Sequence, residues 1–522
     1  MEWPAAAPPA VQRAVMGALA ALTTLSVGSL AAVVLPNGVS PESAIGEQLI
    51  SLAPANLRES AISLLGTRDK PAIVIITIAL CSALVTILGL AARRTRLPLI
   101  AGIVLLVALF VTAATESAPA AAGSSVLGGL LAGSAGVATL ALLARFTGLD
   151  NMDGRDKSGL GGDGTAYSRR QFVTAAVLLA GAALLVGGAA TALARGMQSS
   201  VESLRRAIRL PRVSRPLPPV PTSAAFDVPG LSPLVTPNAD FYRIDTALDV
   251  PQVDPGTWQL HLTGMVRAPF TLSYAQLLAM PQVESDITLC CVSDPVGGPL
   301  ISSARWQGVR LADLLSRAGV SAGANQVVGR SVDGFSAGFP VAAALDGRDA
   351  LVAVGMNGEP LPLEHGFPAR LVVPGLYGYV SATKWLTIIE LTTFESVGGF
   401  WVDRGWAPAA PIRTESRIDV PSDGSQLARG TVVIAGVAWA QHRGIKGVEV
   451  RVDGQAWRPA DTANALSIDT WRQWRLRWDA TPGQHTIEVR AIDATGLPQV
   501  PQTADPFPAG ATGYHTIAVT VG

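Results

Sequence analysis

The sequence predicts a multidomain chain in three parts: an N-terminal five-helix transmembrane bundle, a mixed α+β domain and a C-terminal Ig-like β-sandwich. Three observations carry that prediction. Uncharged runs crowd the chain before residue 195, helix-period and strand-period segments then alternate up to residue 410, and from 411 onward only period-two strands remain. At 522 residues the chain exceeds what one hydrophobic core usually serves. Charged residues make up 15% while AVILMFWYC make up 49%, the skew of a chain that carries membrane spans. Basic and acidic residues balance at 39 each without a long charge run, so nothing points to a nucleic-acid partner.

Within a helical region 1–195, five uncharged stretches reach the roughly 20 residues a bilayer crossing needs. They are 14–36, 71–92, 97–115, 121–144 and 171–194. Short loops rich in Lys and Arg stay on the cytoplasmic side. Arg93, Arg94 and Arg96 join the second and third spans, and Arg145, Arg155, Lys157, Arg169 and Arg170 lie between the fourth and fifth. The loop 116–120 has no basic residue. The N-terminus is therefore expected inside and everything after Ala194 outside, as in a multi-pass cell-membrane protein with an extracytoplasmic C-terminal part. "SRRQFV" (168–173) precedes the last span. Two arginines would suit a plain anchor, but Ser, Arg-Arg, a spacer, Phe and an apolar helix match a twin-arginine export signal more fully. That route carries folded, cofactor-loaded domains.

A Pro-rich linker spans 196–237, and its run 210–237 is stiff and extended, either a spacer or a wrapping arm. In 238–410, "TWQLHLTG" (257–264) predicts a strand and "TLSYAQLLAMP" (271–281) a capped helix. "VRLADLLSRAGV" (309–320) has apolar residues at helical spacing and ends at Gly319, and "LVAVGMNGEPLPL" (351–363) carries an Asn-Gly hairpin turn. In 411–522, the segments 431–439, 447–457, 471–480, 485–493 and 514–522 alternate as sandwich strands do. In the second of these Val448, Val450 and Val452 face one way while Glu449 and Arg451 face the other. The sandwich carries nothing catalytic in its pattern and is expected to be an interface or support module.

Three cysteines occur in the chain, and Cys290 and Cys291 are adjacent. Cys81 stands alone in the second span. A disulfide between sequence neighbours is sterically awkward. Burial of both as small hydrophobes is a second reading, although strand alternation would turn them to opposite faces. The third is one thiolate on a soft metal. Zinc or iron–sulfur sites want more Cys or His than stand nearby, so a metal with one protein thiolate would be held mostly by an organic ligand, as molybdenum is on a pyranopterin dithiolene.

"CVSDPVGGPLISSARWQGVRLADLL", "HGFPARLVVPGLYG" and "TKWLTIIEL", in that order and followed by a β-sandwich, resemble the sulfite oxidase family of molybdopterin enzymes. Within that family the chain looks like the membrane-anchored, actinobacterial-type branch with an N-terminal helical bundle. The final domain, with "GVAWAQHRGIKGVEVRVDG", looks like that family's Mo-cofactor dimerisation domain. The resemblance covers about 236–522 and implies a sulfite-oxidase-type molybdopterin-binding domain. It further implies Mo-molybdopterin as cofactor, with Cys291 as the catalytic metal ligand and Cys290 as a strand neighbour. "TPNADFYRID" supplies Asn238, Phe241 and Tyr242 for the pterin, "HGFPAR" supplies His365 and Arg370, and "SATK" supplies Ser381, Thr383 and Lys384 for the phosphate end. Ser331 matches more loosely, and Arg243 and Arg305 are expected near the substrate pocket.

The reaction implied is two-electron oxygen-atom transfer, with electrons exchanged with a separate cytochrome or quinone-linked partner. All five histidines lie at or beyond 261, so the spans offer no histidine pair for haem. The family's substrate-side tyrosine is replaced by glycines and tryptophans in "FESVGGFWVDRGWAP", and "SDPVGG" puts an acid where an anion pocket wants arginines. Sulfite is thereby in doubt, and a reductase acting on a sulfoxide, such as oxidised methionine in exported proteins, is the alternative. A redox-inactive scaffold is a further one. The resemblance also implies a homodimer through the C-terminal domain.

Overall fold

The computed structural model describes residues 10–35, 38–53, 69–92, 95–117, 122–147, 169–214 and 216–522. Ser168 of the export motif, Arg93, Arg94, Arg155, Lys157 and most of the loop 116–120 lie outside the described residues. The chain divides into two units, residues 1–200 with 246–250, and residues 201–245 with 251–522.

The first unit is helical: α1 (Ala10–Val34), α2 (Pro41–Leu52), α3 (Asp69–Ala91), α4 (Leu97–Ser117), α5 (Ala122–Arg145) and α6 (Arg169–Ala207). All but α2 are long and apolar enough to cross a membrane, and each coincides with an expected span. Small residues let α1 approach its neighbours, for a Cβ at Gly17 would strike the α3 backbone and one at Gly136 of α5 would strike Thr24. The short α2 was not anticipated. Ser40 caps it by accepting a hydrogen bond from the Ser43 amide, and proline takes its first position.

The second unit begins with α6's last turns, where Arg205 pairs with Glu202. Its α+β part contains β1 (Gln259–Gly264), β2 (Phe270–Ser273), β3 (Val283–Cys290), β4 (Ile301–Arg310), β5 (Gln326–Ser331), β6 (Ser336–Pro340), β7 (Leu351–Met356), β8 (Glu359–Pro360), β9 (Arg370–Val372) and β10 (Leu386–Thr392). These make two sheets, ordered β2-β1-β10-β5-β6 and β3-β4-β7-β8, with β9 paired to β7. Helices α7 (Tyr274–Ala279), α8 (Leu311–Ala318), α9 (Val341–Leu345) and α10 (Gly378–Ser381) connect them. Gly319 closes α8 in the left-handed conformation (φ 67°) that an L side chain would resist. Ser273 and Gln276 form a reciprocal capping box at the start of α7. Ser273→Ala is expected to lower stability by about 1 kcal/mol, read as a drop in the chain's melting temperature.

The β-sandwich holds β11 (Glu415–Val420), β12 (Gln426–Leu427), β13 (Gly430–Trp439), β14 (Ile445–Val452), β15 (Arg458–Pro459), β16 (Asp461–Thr462), β17 (Arg472–Ala480), β18 (Gly483–Asp493) and β19 (His515–Val521). Its sheets run β11-β13-β17-β16 and β12-β19-β18-β14-β15. Val448 and Val450 point into the core with Ile434, Trp474 and Val489, as alternation predicts. Glu449 and Arg451 face outward and pair across to Arg490 and Glu488.

Val437, Trp439 and Trp471 of the sandwich join the core of the α+β part, beside Cys290 and Tyr377. The Pro-rich segment binds along both parts. Gln307 donates to the Pro211 carbonyl, Glu284 accepts from the Leu217 amide, Gln473 from the Phe226 amide and Asp419 from the Ser232 amide. Of the two readings, it is the wrapping arm.

Candidate active site around Cys291

Strand β3 ends at Cys290, and the chain turns at Cys291. The Cys291 amide still donates to the Leu300 carbonyl (2.9 Å), and its own carbonyl accepts from the Asp294 amide (3.2 Å). Asp294 braces the loop by accepting from the Leu300 amide (2.7 Å). Both glycines of this loop are sterically required: a Cβ at Gly298 would collide with the Asp294 carboxylate, and one at Gly297 with the His515 ring.

Cys290 and Cys291 are both free thiols, so the disulfide reading is set aside. Cys290 lies in the core, and its charged neighbours are Asp294, Glu415 and Arg417. Cys291 is closer to Lys384 and is hydrogen-bonded by Ser293. Burial pushes the Cys291 thiol up to about 11, so a metal binding there must displace its proton.

Beside it, Phe241 and Tyr242 stack on each other with ring centroids 5.4 Å apart, and Phe241 sets its ring edgewise to Trp306 and His365. Burial, then the nearby Cys291 and Cys290, push the Tyr242 hydroxyl well above its ordinary range. The Tyr242 amide is fixed by the Ser302 hydroxyl (3.1 Å). Asn238 accepts from the Asn357 side chain (2.8 Å), and its carbonyl meets His365 Nε2 (3.1 Å). Burial, then Lys384 and Arg370, press the His365 pKa down to about 3. The ring is therefore neutral, and its Nδ1 is buried with no hydrogen-bond partner among the described residues.

Arg370 opens β9 and is 3% exposed. Its guanidinium donates to the His365 carbonyl (3.1 Å) and leans over the Trp306 ring at 5.1 Å. Among the described residues no carboxylate lies within ion-pair distance of it. Lys384 is bound by Asp245 (2.9 Å) and by the Glu364 carbonyl (3.0 Å). Burial lowers Arg370 to about 10 and Lys384 to about 8. Asp245 also pairs with Arg243 (3.1 Å), so the cationic groups outnumber the carboxylate between them. A buried excess of positive charge is costly unless an anion neutralises it.

Residues Asn238, Phe241, Tyr242, Cys291, His365, Arg370 and Lys384 thus come together. The Ser381 hydroxyl donates to the Leu376 and Tyr377 carbonyls and Thr383 to the Gly329 carbonyl, which places both in the backbone support of this segment. Ser331 ends β5, buried, next to the turn at Asp333. Arg305 is committed elsewhere: it makes a two-pronged pair with Asp286 (2.8 and 2.9 Å) and holds the Pro-rich arm at Pro218. Sequence reasoning missed Asp245, Ser302, Trp306 and Asn357. Ser302 and Trp306 stand inside "CVSDPVGGPLISSARWQGVRLADLL" and Asp245 ends "TPNADFYRID", but nothing local marked their roles; Asn357 showed itself as the left-handed residue (φ 52°) of an Asn-Gly turn, and the turn hid its side-chain role.

The donor set fits the molybdopterin that the resemblance implies. It offers one thiol for the metal, a guanidinium without an ion-paired carboxylate among the described residues and a lysine for the phosphate, and a buried imidazole nitrogen for a polar ring.

Comparison with known proteins agrees. Residues 247–401 match the family described as oxidoreductase molybdopterin binding domain, and residues 415–489 match the bacterial Ig domain. The chain is similar to mitochondrial sulfite oxidase of Homo sapiens, 31% identical over 322 residues, covering 52% of this chain and 58% of that protein. Sulfite oxidase of Gallus gallus is 31% identical over 309 residues, covering 50% of this chain and 67% of that one. The uncharacterized oxidoreductase YuiH of Bacillus subtilis is 38% identical over 159 residues, covering 30% of this chain and 77% of its own length. The chain therefore spans 58% of the human relative's length, a little over half.

Proposed function

The chain belongs to the sulfite oxidase family of molybdopterin-dependent oxidoreductases, and from that premise we propose a membrane-anchored enzyme with an extracytoplasmic molybdenum centre at Cys291. The observation that carries the reading is the buried Arg370, with no carboxylate at ion-pair distance among the described residues, in the same cluster as Cys291, His365 and Lys384. Bound there, the cofactor supplies two-electron oxygen-atom transfer. The protein's residues do the rest. Cys291 ligates the metal, Arg370 and Lys384 neutralise the phosphate, and neutral His365 with Asn238 orients the pterin. Five helices long and apolar enough to cross a membrane support the anchoring, and the electrons pass to or from a separate cytochrome or quinone-linked protein. Ser381 and Thr383 shape the phosphate end through the backbone they hold, and Ser331 stands on the pterin side.

A neutral sulfoxide suits the site better than an anion. Arg243 and Arg305 are both paired to aspartates, and the loop after Cys291 presents Asp294, whose carboxyl burial raises to about 6. The test uses the purified membrane protein from a host that makes the cofactor. Near one molybdenum per chain, with the reduced protein reoxidised by methionine sulfoxide, supports the reductase. Sulfite-dependent reduction of an artificial acceptor supports the oxidase, and a chain without molybdenum leaves the scaffold.

A further inference from the structure

Strand β3 lies at the end of its sheet, with only β4 beside it. Its outward backbone groups are nevertheless buried, and buried edge groups need partners. The sandwich supplies them, and not with a strand. The Thr288 amide donates to the Asp469 carbonyl (2.9 Å), and the Thr288 hydroxyl accepts from the Trp471 amide (2.8 Å). The Thr288 carbonyl accepts from Gln441 Nε2 (3.3 Å). One step earlier on the same edge, the Asp286 carbonyl accepts from the Ser467 hydroxyl (3.0 Å). All three polar groups of Thr288 are thus held by one neighbouring module. Thr288 and Gln441 are 0% exposed, so water does not compete.

The clamp is itself stiff. Within the turn at 467–471, the Asp469 amide donates to the Ser467 hydroxyl (3.0 Å) and the Ser467 amide donates to the Thr470 hydroxyl (3.3 Å). Trp471 then leads directly into β17, a strand paired on both sides in its sheet, and its indole donates to the Leu234 carbonyl of the wrapping arm (2.8 Å). Thr288 stands three residues before Cys291, on the strand face opposite to it and shared with Cys290. Any slip of β3 along this edge would carry the thiol with it.

We propose that Thr288 is the positioning residue through which the Ig-like module fixes the strand that delivers Cys291, so that this module sets the geometry of the metal centre. The inference rests on Cys291 being the molybdenum ligand.

The test compares full-length wild type, Thr288→Val, Thr288→Ser and Gln441→Met. Valine keeps the shape and the backbone bonds but leaves the Trp471 amide without its acceptor. The expected result is cofactor content equal to wild type, an altered Mo(V) electron paramagnetic resonance signal, and kcat lowered about tenfold with KM unchanged. Serine is expected to restore both signal and rate, and Gln441→Met to shift the signal in the same direction as valine. Wild-type signal and rate in Thr288→Val would overturn the proposal. Should that variant fail to fold, hydrogen exchange on the wild type decides. The Thr288 and Trp471 amides are expected to exchange together, as slowly as those of Leu289 and Cys291, which face β4. Exchange about 100-fold faster at Thr288 or Trp471 would overturn it. A wild type empty of molybdenum would instead defeat the assignment of Cys291, and the exchange measurement would still report on the clamp.

Discussion

Cys291→Ser is expected to lower turnover by about 100-fold or more, while Cys290→Ser keeps it within about threefold of wild type. Of the two sulfurs, Cys291 has Lys384 for its cationic neighbour and Cys290 has Arg417, and burial pushes the Cys291 thiol up to about 11. A serine hydroxyl is a far weaker acid and a harder ligand, so the metal would have to remove a more tightly held proton to gain a less suitable donor. Cys290 turns instead toward the core with Tyr377 and Trp439. Its replacement buries a hydroxyl and costs about 1 kcal/mol of stability, with the metal untouched. Molybdenum per chain, the visible charge-transfer absorption and turnover, measured on both variants, check the pair. Equal losses in the two would sink the assignment of roles, and full activity in Cys291→Ser would sink the site.

The five long apolar helices were legible because about 20 uncharged residues in a row have few other uses. Helix α2 was not, since its 12 residues include Glu42, Glu47 and Gln48 and its apolar face is short. The sandwich strands showed themselves by alternation, which holds wherever one face meets the core and the other meets water. Strand β3 breaks that rule: Ser285, Asp286 and Thr288 are buried along with Ile287 and Leu289. Asp286 and Thr288 are inside because they bond to Arg305 and to the sandwich, and Ser285 because its hydroxyl donates to Asp349 (3.1 Å), and no local pattern announces partners that distant. The site divides in the same way. Arg370, His365 and Lys384 stood out through their motifs, whereas Asp245, the last residue of "TPNADFYRID", sits 139 residues from the lysine it binds, and nothing in that motif announces the pair. Arg305, expected near the substrate, is drawn off by Asp286 across the β3–β4 pair. A lone arginine in a sequence does not say which carboxylate will claim it.

Lys384→Met and Arg370→Met are each expected to weaken cofactor retention by about 100-fold, and the lysine variant also to abolish its pH dependence. A unit charge near a phosphate at an effective dielectric constant of about 20 is worth about 4 kcal/mol at 4 Å, before the cost of desolvation is deducted. About 3 kcal/mol remaining corresponds to about 100-fold in affinity. For Lys384 the sign of the pH effect is fixed by its position. Burial holds its pKa near 8 in the empty site, below the ordinary 10.5, with Asp245 opposing that and Arg370 adding to it. Below pH 8 the ammonium is present and the anion is bound at full strength. As pH rises through 8 the empty site loses that charge, and affinity is expected to fall toward tenfold per pH unit. Stability of the cofactor-free chain moves the opposite way between pH 8 and 10.5, because there the unfolded chain holds a proton that the folded one has shed. Cofactor release and urea unfolding, each followed from pH 7 to 9.5, test this directly. Two opposed slopes in wild type, both flattened in Lys384→Met, are the expected result. Parallel slopes, or slopes unchanged by the substitution, would show that Lys384 does not hold the anion.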